Sequence, residues 1–341
     1  MSVDKCEMAW VKPPMLINNF PMNIPARELT SRITPVDKMF VLAATGIPQV
    51  DVDQWRLQIG GMVSRPITLD FPRLLKYSKI ELEACHVCAG SAVNARAAVH
   101  RVANVAWGGV ALVDLLEGTQ LRTSAKFLWA YGLDHGTYRE HVVNSYIKDI
   151  PLDRYFIEDL MVAYELNGKP LSPEHGYPAR LVAPGLYGTN MVKWLTCLWF
   201  SDERAPGAFT HEFYNDPELG ADGNATGRML PVWEVQPDAI LVGPQAGVKV
   251  GEETLLWGWA WSGCDVVRVE ASTDGGATWQ RTRLQAREHE AWQRFDLPWT
   301  PTAAGRHALV VRATDSHGVT QPSVSARNAQ FRCQVDVEDA A

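Results

Sequence analysis

Residues 80–90 read Ile80-Glu-Leu-Glu-Ala-Cys85-His-Val-Cys88-Ala-Gly90. Apolar and polar side chains alternate at the start of this stretch, which predicts a strand that runs directly into a Cys-x-x-Cys pair. The sequence Ala89-Gly90-Ser91 that follows is typical of a turn. The stretch therefore predicts a cysteine held at the junction between a strand and a turn.

Local sequence leaves the role of Cys85 and Cys88 open. A zinc site requires four ligands, and no second Cys-x-x-Cys or close pair of histidines completes one. A thioredoxin-like motif requires a helix that begins at the first cysteine, whereas a turn is predicted here. From these residues alone, a buried and inert thiol pair is the competing interpretation.

Further along the chain lie Val105-Ala-Trp-Gly-Gly-Val-Ala-Leu-Val-Asp-Leu-Leu116 and Leu166-Asn-Gly-Lys-Pro-Leu-Ser-Pro-Glu-His-Gly-Tyr-Pro-Ala-Arg-Leu-Val-Ala-Pro-Gly185, the latter followed by Val192-Lys-Trp-Leu195. Together with Cys88-Ala-Gly90, these stretches resemble the sulfite oxidase family of molybdenum-cofactor enzymes. In that family a lone cysteine follows a strand and precedes a glycine. The C-terminal motifs are similar to the family's dimerisation domain, so the resemblance spans most of the chain; they are Gly258-Trp-Ala-Trp-Ser-Gly263 and Asp274-Gly-Gly-Ala-Thr-Trp279.

The periodicity of the chain predicts an α+β fold. Strands are expected at residues 55–59, 80–84, 127–131, 160–166, 180–183 and 192–200, and short helices at 68–75 and 109–116. From residue 201 to about residue 232 the apolar pattern lapses into Gly, Pro, Asn and Asp. We therefore expect a domain boundary there, between residues 1–230 and 231–341.

The two predicted domains differ in character. By resemblance, residues 1–230 form a mixed α/β molybdopterin-binding catalytic domain. In residues 231–341, short alternating segments separated by Asp-Gly turns predict an immunoglobulin-like β-sandwich, with a dimerisation role implied by the resemblance. No catalytic cluster is evident in this second domain.

The amino-acid composition limits the classes of binding partner and the cellular compartment that we expect. The 341 residues include 32 Lys and Arg against 39 Asp and Glu, for a net charge of −7, and 46% are hydrophobic. A modest acidic balance without a basic block argues against nucleic acid and anionic membrane surfaces as partners. No apolar run reaches the length of a membrane span. The acidic N-terminus is unlike a signal peptide, so we expect a cytoplasmic protein, or a periplasmic one if a leader was removed.

The resemblance implies molybdenum and molybdopterin as cofactor and assigns residues to them. Cys88, directly before Ala-Gly, is the expected molybdenum ligand, because a thiolate is a soft anionic donor; Cys85 is then a packing residue. By resemblance, the residues that bind the pterin are His175, Arg180 and Lys193, and Asp134 is an acid that lines the pocket. Tyr214 is the expected active-site tyrosine that contacts substrate.

The sequence departs from the family beside the substrate. Where sulfite-oxidising members carry Arg-Asn-His, this chain has Leu42-Ala43-Ala44, and the family's Asn-Arg-Arg after Cys-Ala-Gly is Ser91-Ala-Val93 here. Removing one charged hydrogen-bond donor from a buried anion costs about 2–5 kcal/mol. Either Arg96 or Arg101 replaces the missing cation, or the substrate is a neutral molecule such as a sulfoxide.

The resulting hypothesis is an oxidoreductase that transfers an oxygen atom between a molybdenum-oxo centre and a small sulfur-containing substrate, as a homodimer. No haem motif occurs, so the electron carrier is expected to be separate. The alternative is a catalytically inactive, cofactor-binding or dimerising interaction protein of the same fold. In a third interpretation the cysteine pair binds zinc and the likeness extends only to the fold.

Overall fold

The computed structural model describes residues 12–15, 24–90, 99–154, 157–220, 224–245, 247–323 and 327–340. Strands dominate these residues, and each of the three α-helices has four residues: Phe71–Leu74, Leu112–Leu115 and Ala208–His211. The α+β expectation is therefore corrected to a mostly β fold. The helix expected over 109–116 is reduced to one turn, because its first three residues continue the strand Val102–Ala111.

The chain divides into two compact units. The first comprises Met1–Phe20, Val41–Leu82 and Ala106–Trp233, and the second comprises Pro21–Phe40, Glu83–Val105 and Glu234–Ala341. The last segment of the second unit begins at Glu234, close to the predicted boundary at residue 230, but two earlier segments also belong to that unit. The domain ranges 1–230 and 231–341 stay a prediction.

The first unit contains a mixed five-stranded sheet. Its strand order is Ile147–Pro151, Phe127–Gly132, Leu195–Ser201, Arg56–Gly61 and Ile67–Asp70. Leu195–Ser201 runs parallel to Arg56–Gly61, and the other neighbours are antiparallel. The alternation predicted for residues 55–59 places Trp55, Leu57 and Ile59 in the core.

A second group of strands in this unit surrounds Met161–Leu166. That strand is antiparallel to residues 107–111 of Val102–Ala111 on one side and to Arg180–Val182 on the other. The remaining elements of the unit are short strand pairs and 3-10 turns; they are Lys12–Met15 with Ile47–Gln49, Gly136–Tyr138 with His141–Val143, Asn215–Leu219 with Ala225–Pro231, the strand Lys169–Pro170, and the turns Ile157–Asp159, Pro173–His175 and Gly188–Asn190.

The second unit contains two larger sheets. One has the order Asp238–Gly243, Thr254–Trp261, Gln293–Trp299 and Arg283–Leu284. The other has the order Val248–Lys249, Phe331–Glu338, Gly305–Asp315, Val266–Ser272 and Gln280–Arg281. Asp238–Gly243 contacts Gly305–Asp315, so the two sheets pack together around side chains such as Ile240 and Val311.

The earlier segments of the second unit add smaller elements. They are the pair Ile24–Pro25 with Val99–His100, the 3-10 turns Ala26–Glu28 and Val36–Lys38, and the strand Ile80–Val87, which begins in the first unit. Ile80–Val87 lies beside Val102–Ala111. It extends the strand predicted at residues 80–84 by three residues, takes in Cys85, and ends directly before Cys88. Within the described ranges, no helix has the length and apolar character needed to cross a bilayer.

Candidate cofactor-binding site

Four of the predicted cofactor residues come together in the first unit. Asp134 follows the strand Phe127–Gly132, and His175 ends the turn Pro173–His175. Arg180 opens the strand Arg180–Val182, and Lys193 lies two residues before Leu195–Ser201. Asp134, His175 and Arg180 are buried, and Lys193 is half-buried.

Two glycines allow these side chains to converge. A Cβ atom on Gly176, whose φ is +111°, would lie 3.1 Å from the Cβ of Lys193 and 3.2 Å from the Cβ of Arg180. A Cβ atom on Gly132 would lie 2.5 Å from Asp134 Oδ1 and 2.7 Å from the carbonyl oxygen of Lys193. Any larger residue at these positions would push the charged groups apart.

Arg180 is a buried cation whose hydrogen bonds within the described residues go to backbone carbonyls. Its Nη1 donates to the carbonyl of His175 and its Nη2 to the carbonyl of Met191, each at 3.1 Å. The guanidinium lies 4.7 Å from the centre of the Trp107 ring. Burial lowers the pKa of Arg180 to about 9. Its Nε is buried and has no hydrogen-bond partner in the part of the chain that the structure describes.

His175 presents a second buried nitrogen to the same region. Its Nδ1 lies 2.9 Å from Ser172 Oγ, which fixes the orientation of the ring. Its Nε2 is buried and lacks a hydrogen-bond partner among the described residues. Burial, followed by the charges of Arg180 and Lys193, lowers the pKa of His175 to about 4, so the imidazole is neutral at pH 7.

Lys193 is tied to the polypeptide around it. Its Nζ donates to the carbonyls of Leu42 and Glu174, both at 2.8 Å. Burial lowers the pKa of Lys193, the nearby charge of Asp134 raises it, and burial in turn raises the pKa of Asp134. The bond to Leu42 shows that the stretch Leu42-Ala43-Ala44, although apolar, still reaches this cluster through its backbone.

The charges of this cluster fit a polar cofactor that ends in a phosphate. Arg180 and Lys193 are the two cations of this cluster, and the neutral His175 adds no charge. The buried carboxylate of Asp134 and the half-buried carboxylate of Glu174, which lies 3.7 Å from His175 Nδ1, oppose their charge. Cationic donors in a desolvated site favour an anion, and His175 Nε2 and Arg180 Nε are available as hydrogen-bond partners. These residues therefore fit the pyranopterin and phosphate of molybdopterin.

Cys88 belongs to the second unit, at the end of Ile80–Val87. Its N–H donates to the carbonyl of Arg101 at 2.9 Å, and its Sγ accepts from the N–H of Gly90 at 3.3 Å. Burial raises the pKa of the Cys88 thiol, while the Gly90 N–H and the charges of Arg101 and Arg327 act in the opposite direction. Cys85 is buried and its pKa is raised above the usual range, in keeping with a packing role.

Two arginines flank Cys88. A Cβ atom on Gly90 would lie 3.4 Å from Arg101 Nη1 and 3.7 Å from Cys88 Sγ, so the guanidinium and the thiol share one small region. Arg327 donates through Nη1 to the carbonyl of Ala89. Arg101 was one of two predicted replacement cations; the other, Arg96, lies outside the described residues. Arg327 was missed, because it is 238 residues from Ala89 and belongs to no local motif.

Tyr214 lies in an aromatic cluster of the first unit. Its ring stacks at 6.4 Å on that of Phe209, and the ammonium of the buried Lys148 lies 5.6 Å from the ring centre. Its φ is +55°, in the left-handed region. These contacts account for its position by packing, and its catalytic role stays a prediction.

Comparison with known proteins identifies the family. Residues 44–209 match the oxidoreductase molybdopterin binding domain, and residues 230–334 match the Mo-co oxidoreductase dimerisation domain. The sulfite oxidase of Gallus gallus is 30% identical over 329 residues, which cover 87% of this chain and 70% of that protein. The chain belongs to the sulfite oxidase family. It is thus a member of a family of molybdopterin-dependent oxidoreductases, as the resemblance predicted.

Relatives in the sulfite oxidase family differ in length and chemistry. The mitochondrial sulfite oxidase of Rattus norvegicus is 29% identical, and the match covers 92% of this chain but 62% of that protein. The NADPH nitrate reductase of Emericella nidulans is 26% identical over 39% of its length. Among solved structures, the sulfane dehydrogenase SoxCD from Paracoccus pantotrophus has a TM-score of 0.77 and 25% identity, and covers 98% of this chain and 92% of its own.

Proposed function

We propose that this chain is a molybdenum–molybdopterin oxidoreductase that oxidises a small sulfur oxyanion, with sulfite as the simplest candidate. The observation that carries the proposal is the pair of arginines, Arg101 and Arg327, beside Cys88. A cofactor site with cations around its proposed metal ligand suits an anionic substrate better than a neutral one.

The proposed roles follow from the chemistry of each side chain. Cys88 would bind the metal through its sulfur, which is a soft donor. His175, Arg180 and Lys193 would hold the polar ring and phosphate, and Asp134 would offset the charge of Lys193. When bound, the cofactor supplies two-electron oxygen-atom transfer. Tyr214 is the proposed donor of a hydrogen bond to the substrate.

The apolar stretch Leu42-Ala43-Ala44 is the observation that weighs against sulfite. An anion that leaves water for a site without positive charge loses several kcal/mol. Arg101 and Arg327 supply such charge from other parts of the sequence, so the substitution at 42–44 does not by itself exclude an anionic substrate. We infer that the positive charge has been moved within the chain rather than removed.

The overall reaction balances without further cofactors in this chain. Sulfite and water give sulfate, two protons and two electrons. The two electrons must leave to an acceptor, and the proposed acceptor is a separate one-electron carrier. We also propose that residues 231–341, which include most of the matched dimerisation domain, form an immunoglobulin-like sandwich that pairs two chains. Residues 1–230 are the proposed catalytic domain. The proposed compartment is the cytoplasm or, behind a removed leader, the periplasm.

The test compares sulfite oxidation with sulfoxide reduction. Purified protein with its molybdenum content measured is assayed with sulfite and ferricyanide, and separately with dimethyl sulfoxide and a reduced viologen. We expect turnover of sulfite, and a KM in Arg101→Met that is about thirty- to several-thousand-fold higher, corresponding to about 2–5 kcal/mol. Arg122→Met, at an exposed site of the first unit, is the control and should leave KM unchanged.

Each other outcome contradicts the proposal in a different way. Reduction of the sulfoxide without oxidation of sulfite would favour a neutral substrate. A protein fully loaded with molybdenum that turns over neither substrate would favour the inactive interaction protein. A chain that holds neither molybdenum nor pterin, from a host that makes the cofactor, would remove the cofactor assignment itself.

A further inference from the structure

Three side chains with metal-binding atoms come together in the second unit, in residues that the oxidoreductase proposal does not use. They are Cys264, Asp315 and His317, and their sulfur, oxygen and nitrogen atoms all lie within 4.8 Å of one another. Cys264 lies in the turn between Thr254–Trp261 and Val266–Ser272. Asp315 ends the strand Gly305–Asp315, and His317 follows in the next turn.

The spacing of two of the three donor atoms suits a tetrahedral metal ion. Cys264 Sγ lies 3.6 Å from His317 Nδ1. For zinc, with Zn–S of about 2.3 Å and Zn–N of about 2.0 Å, tetrahedral angles place these two atoms about 3.5 Å apart. The two side chains therefore already stand at the separation that a shared ion would require.

Hydrogen bonds hold the two turns in place. The buried Asp315 accepts through Oδ1 from the N–H groups of His317 and Val319, at 3.0 and 2.9 Å. Its Oδ2 lies 3.4 Å from Ser262 Oγ, on the turn that carries Cys264. The N–H of Ser316 donates to the carbonyl of Asp265 at 2.8 Å, which joins one turn to the other. The donor set is thus arranged by the polypeptide and does not depend on an ion to assemble it.

We propose that Cys264, Asp315 and His317 bind one zinc ion. Thiolate, imidazole and carboxylate are the three ligand types that zinc takes in proteins, and a mixed set of this kind suits zinc better than the oxygen-preferring magnesium or calcium. Cys264 is half-buried and His317 is exposed, so an ion can enter from solvent. Three protein ligands leave the fourth position for water.

The test is cobalt substitution in the molybdenum-loaded, full-length protein. Zinc per chain is measured by elemental mass spectrometry, and zinc is then exchanged for cobalt(II). We expect a thiolate-to-cobalt charge-transfer band in the difference spectrum against the unexchanged protein, at about one cobalt per chain. Cys264→Ser should abolish the band. Losing an outer-shell partner weakens metal binding about ten- to hundredfold, so loss of a direct ligand in His317→Gln should weaken cobalt binding at least as much.

Cys333→Ser is the matched control, because Cys333 is a half-buried cysteine of the same unit outside the cluster. It should keep both the zinc and the band. A wild-type protein that binds no more zinc or cobalt than Cys264→Ser would overturn the proposal, and would leave a hydrogen bond between Cys264 and His317 as the explanation of their contact. Molybdenum content, measured on every sample, reports separately on the oxidoreductase proposal.

Discussion

Arg180→Met should separate cofactor binding from folding stability. In the chain without cofactor, burial lowers the pKa of Arg180 from 12.5 to about 9, which corresponds to about 5 kcal/mol against its charged form. Removing the guanidinium relieves that cost but leaves the carbonyls of His175 and Met191 without donors, at about 1–3 kcal/mol each. A relieved cost of about 5 kcal/mol against a loss of about 2–6 kcal/mol places the free energy of unfolding between about 3 kcal/mol above and about 1 kcal/mol below that of the wild type.

With the cofactor bound, the same substitution removes a charged donor from a buried anion. The binding free energy of the cofactor should fall by about 2–5 kcal/mol, which corresponds to binding that is about thirty- to several-thousand-fold weaker. The assay is urea unfolding of protein made in a host that lacks the cofactor, together with pterin fluorescence and molybdenum per chain in protein from a host that makes it. We expect the free energy of unfolding to fall by no more than about 1 kcal/mol, and the pterin content to be strongly reduced.

Arg204→Met provides the contrast. Arg204 donates to the fully buried carboxylate of Asp149. Its removal leaves that carboxylate with the charge of Lys148 but without its hydrogen-bonded cation, and should cost about 3–5 kcal/mol of unfolding free energy. If Arg180→Met destabilised the cofactor-free chain as much as Arg204→Met, yet retained its pterin, Arg180 would be a structural residue and the charge argument for the site would be refuted.

Three further predictions concern single positions. Gly109→Ala should lower the urea midpoint, because its Cβ would lie 2.3 Å from the carbonyl oxygen of Val162 in the paired strand, whereas Gly90→Ala meets only contacts of 3.4 Å or more and should not. Burial raises the pKa of Asp238 to about 8, so the stability it contributes is complete below pH 4 and declines as pH rises through 8; Asp238→Asn should flatten that decline in unfolding free energy measured against pH. Cys88→Ser should retain its pterin but show an altered molybdenum content per chain, while Cys85→Ser should keep the wild-type content of both. Equal molybdenum per chain in the two variants would contradict the assignment of Cys88 as the ligand.

The strands could be predicted from sequence where their alternation is undisturbed. The stretch 55–59 falls within or beside Arg56–Gly61, and 127–131 within Phe127–Gly132, because one face of each strand meets the core. The helix predicted over 109–116 was too long for a related reason. Gly109 and the small residues beside it pair closely with Met161–Leu166, which local composition does not reveal, and only Leu112–Leu115 is helical.

The site residues, too, were predicted where they share a local motif and missed where they do not. The clustering of His175, Arg180 and Lys193 was predicted because they occur in one matched block. Arg327 was missed, and so was the cluster around Cys264, because their partners lie far away in the sequence and only tertiary folding brings them together. No local period encodes such a contact.

The two cations of the cofactor cluster, Arg180 and Lys193, also bear on how long the protein survives in a cell. A chain that has not received its cofactor carries the repulsion between Arg180 and Lys193, which the charges of Asp134 and Glu174 oppose. A loaded chain gains stability in proportion to the logarithm of the cofactor supply, about 2.7 kcal/mol at a hundredfold excess over Kd. Differences of this size change the share of molecules that proteases can reach several-fold. We therefore expect cells starved of molybdate or pterin to hold less of this polypeptide at an unchanged rate of synthesis, so that its abundance reports on cofactor supply.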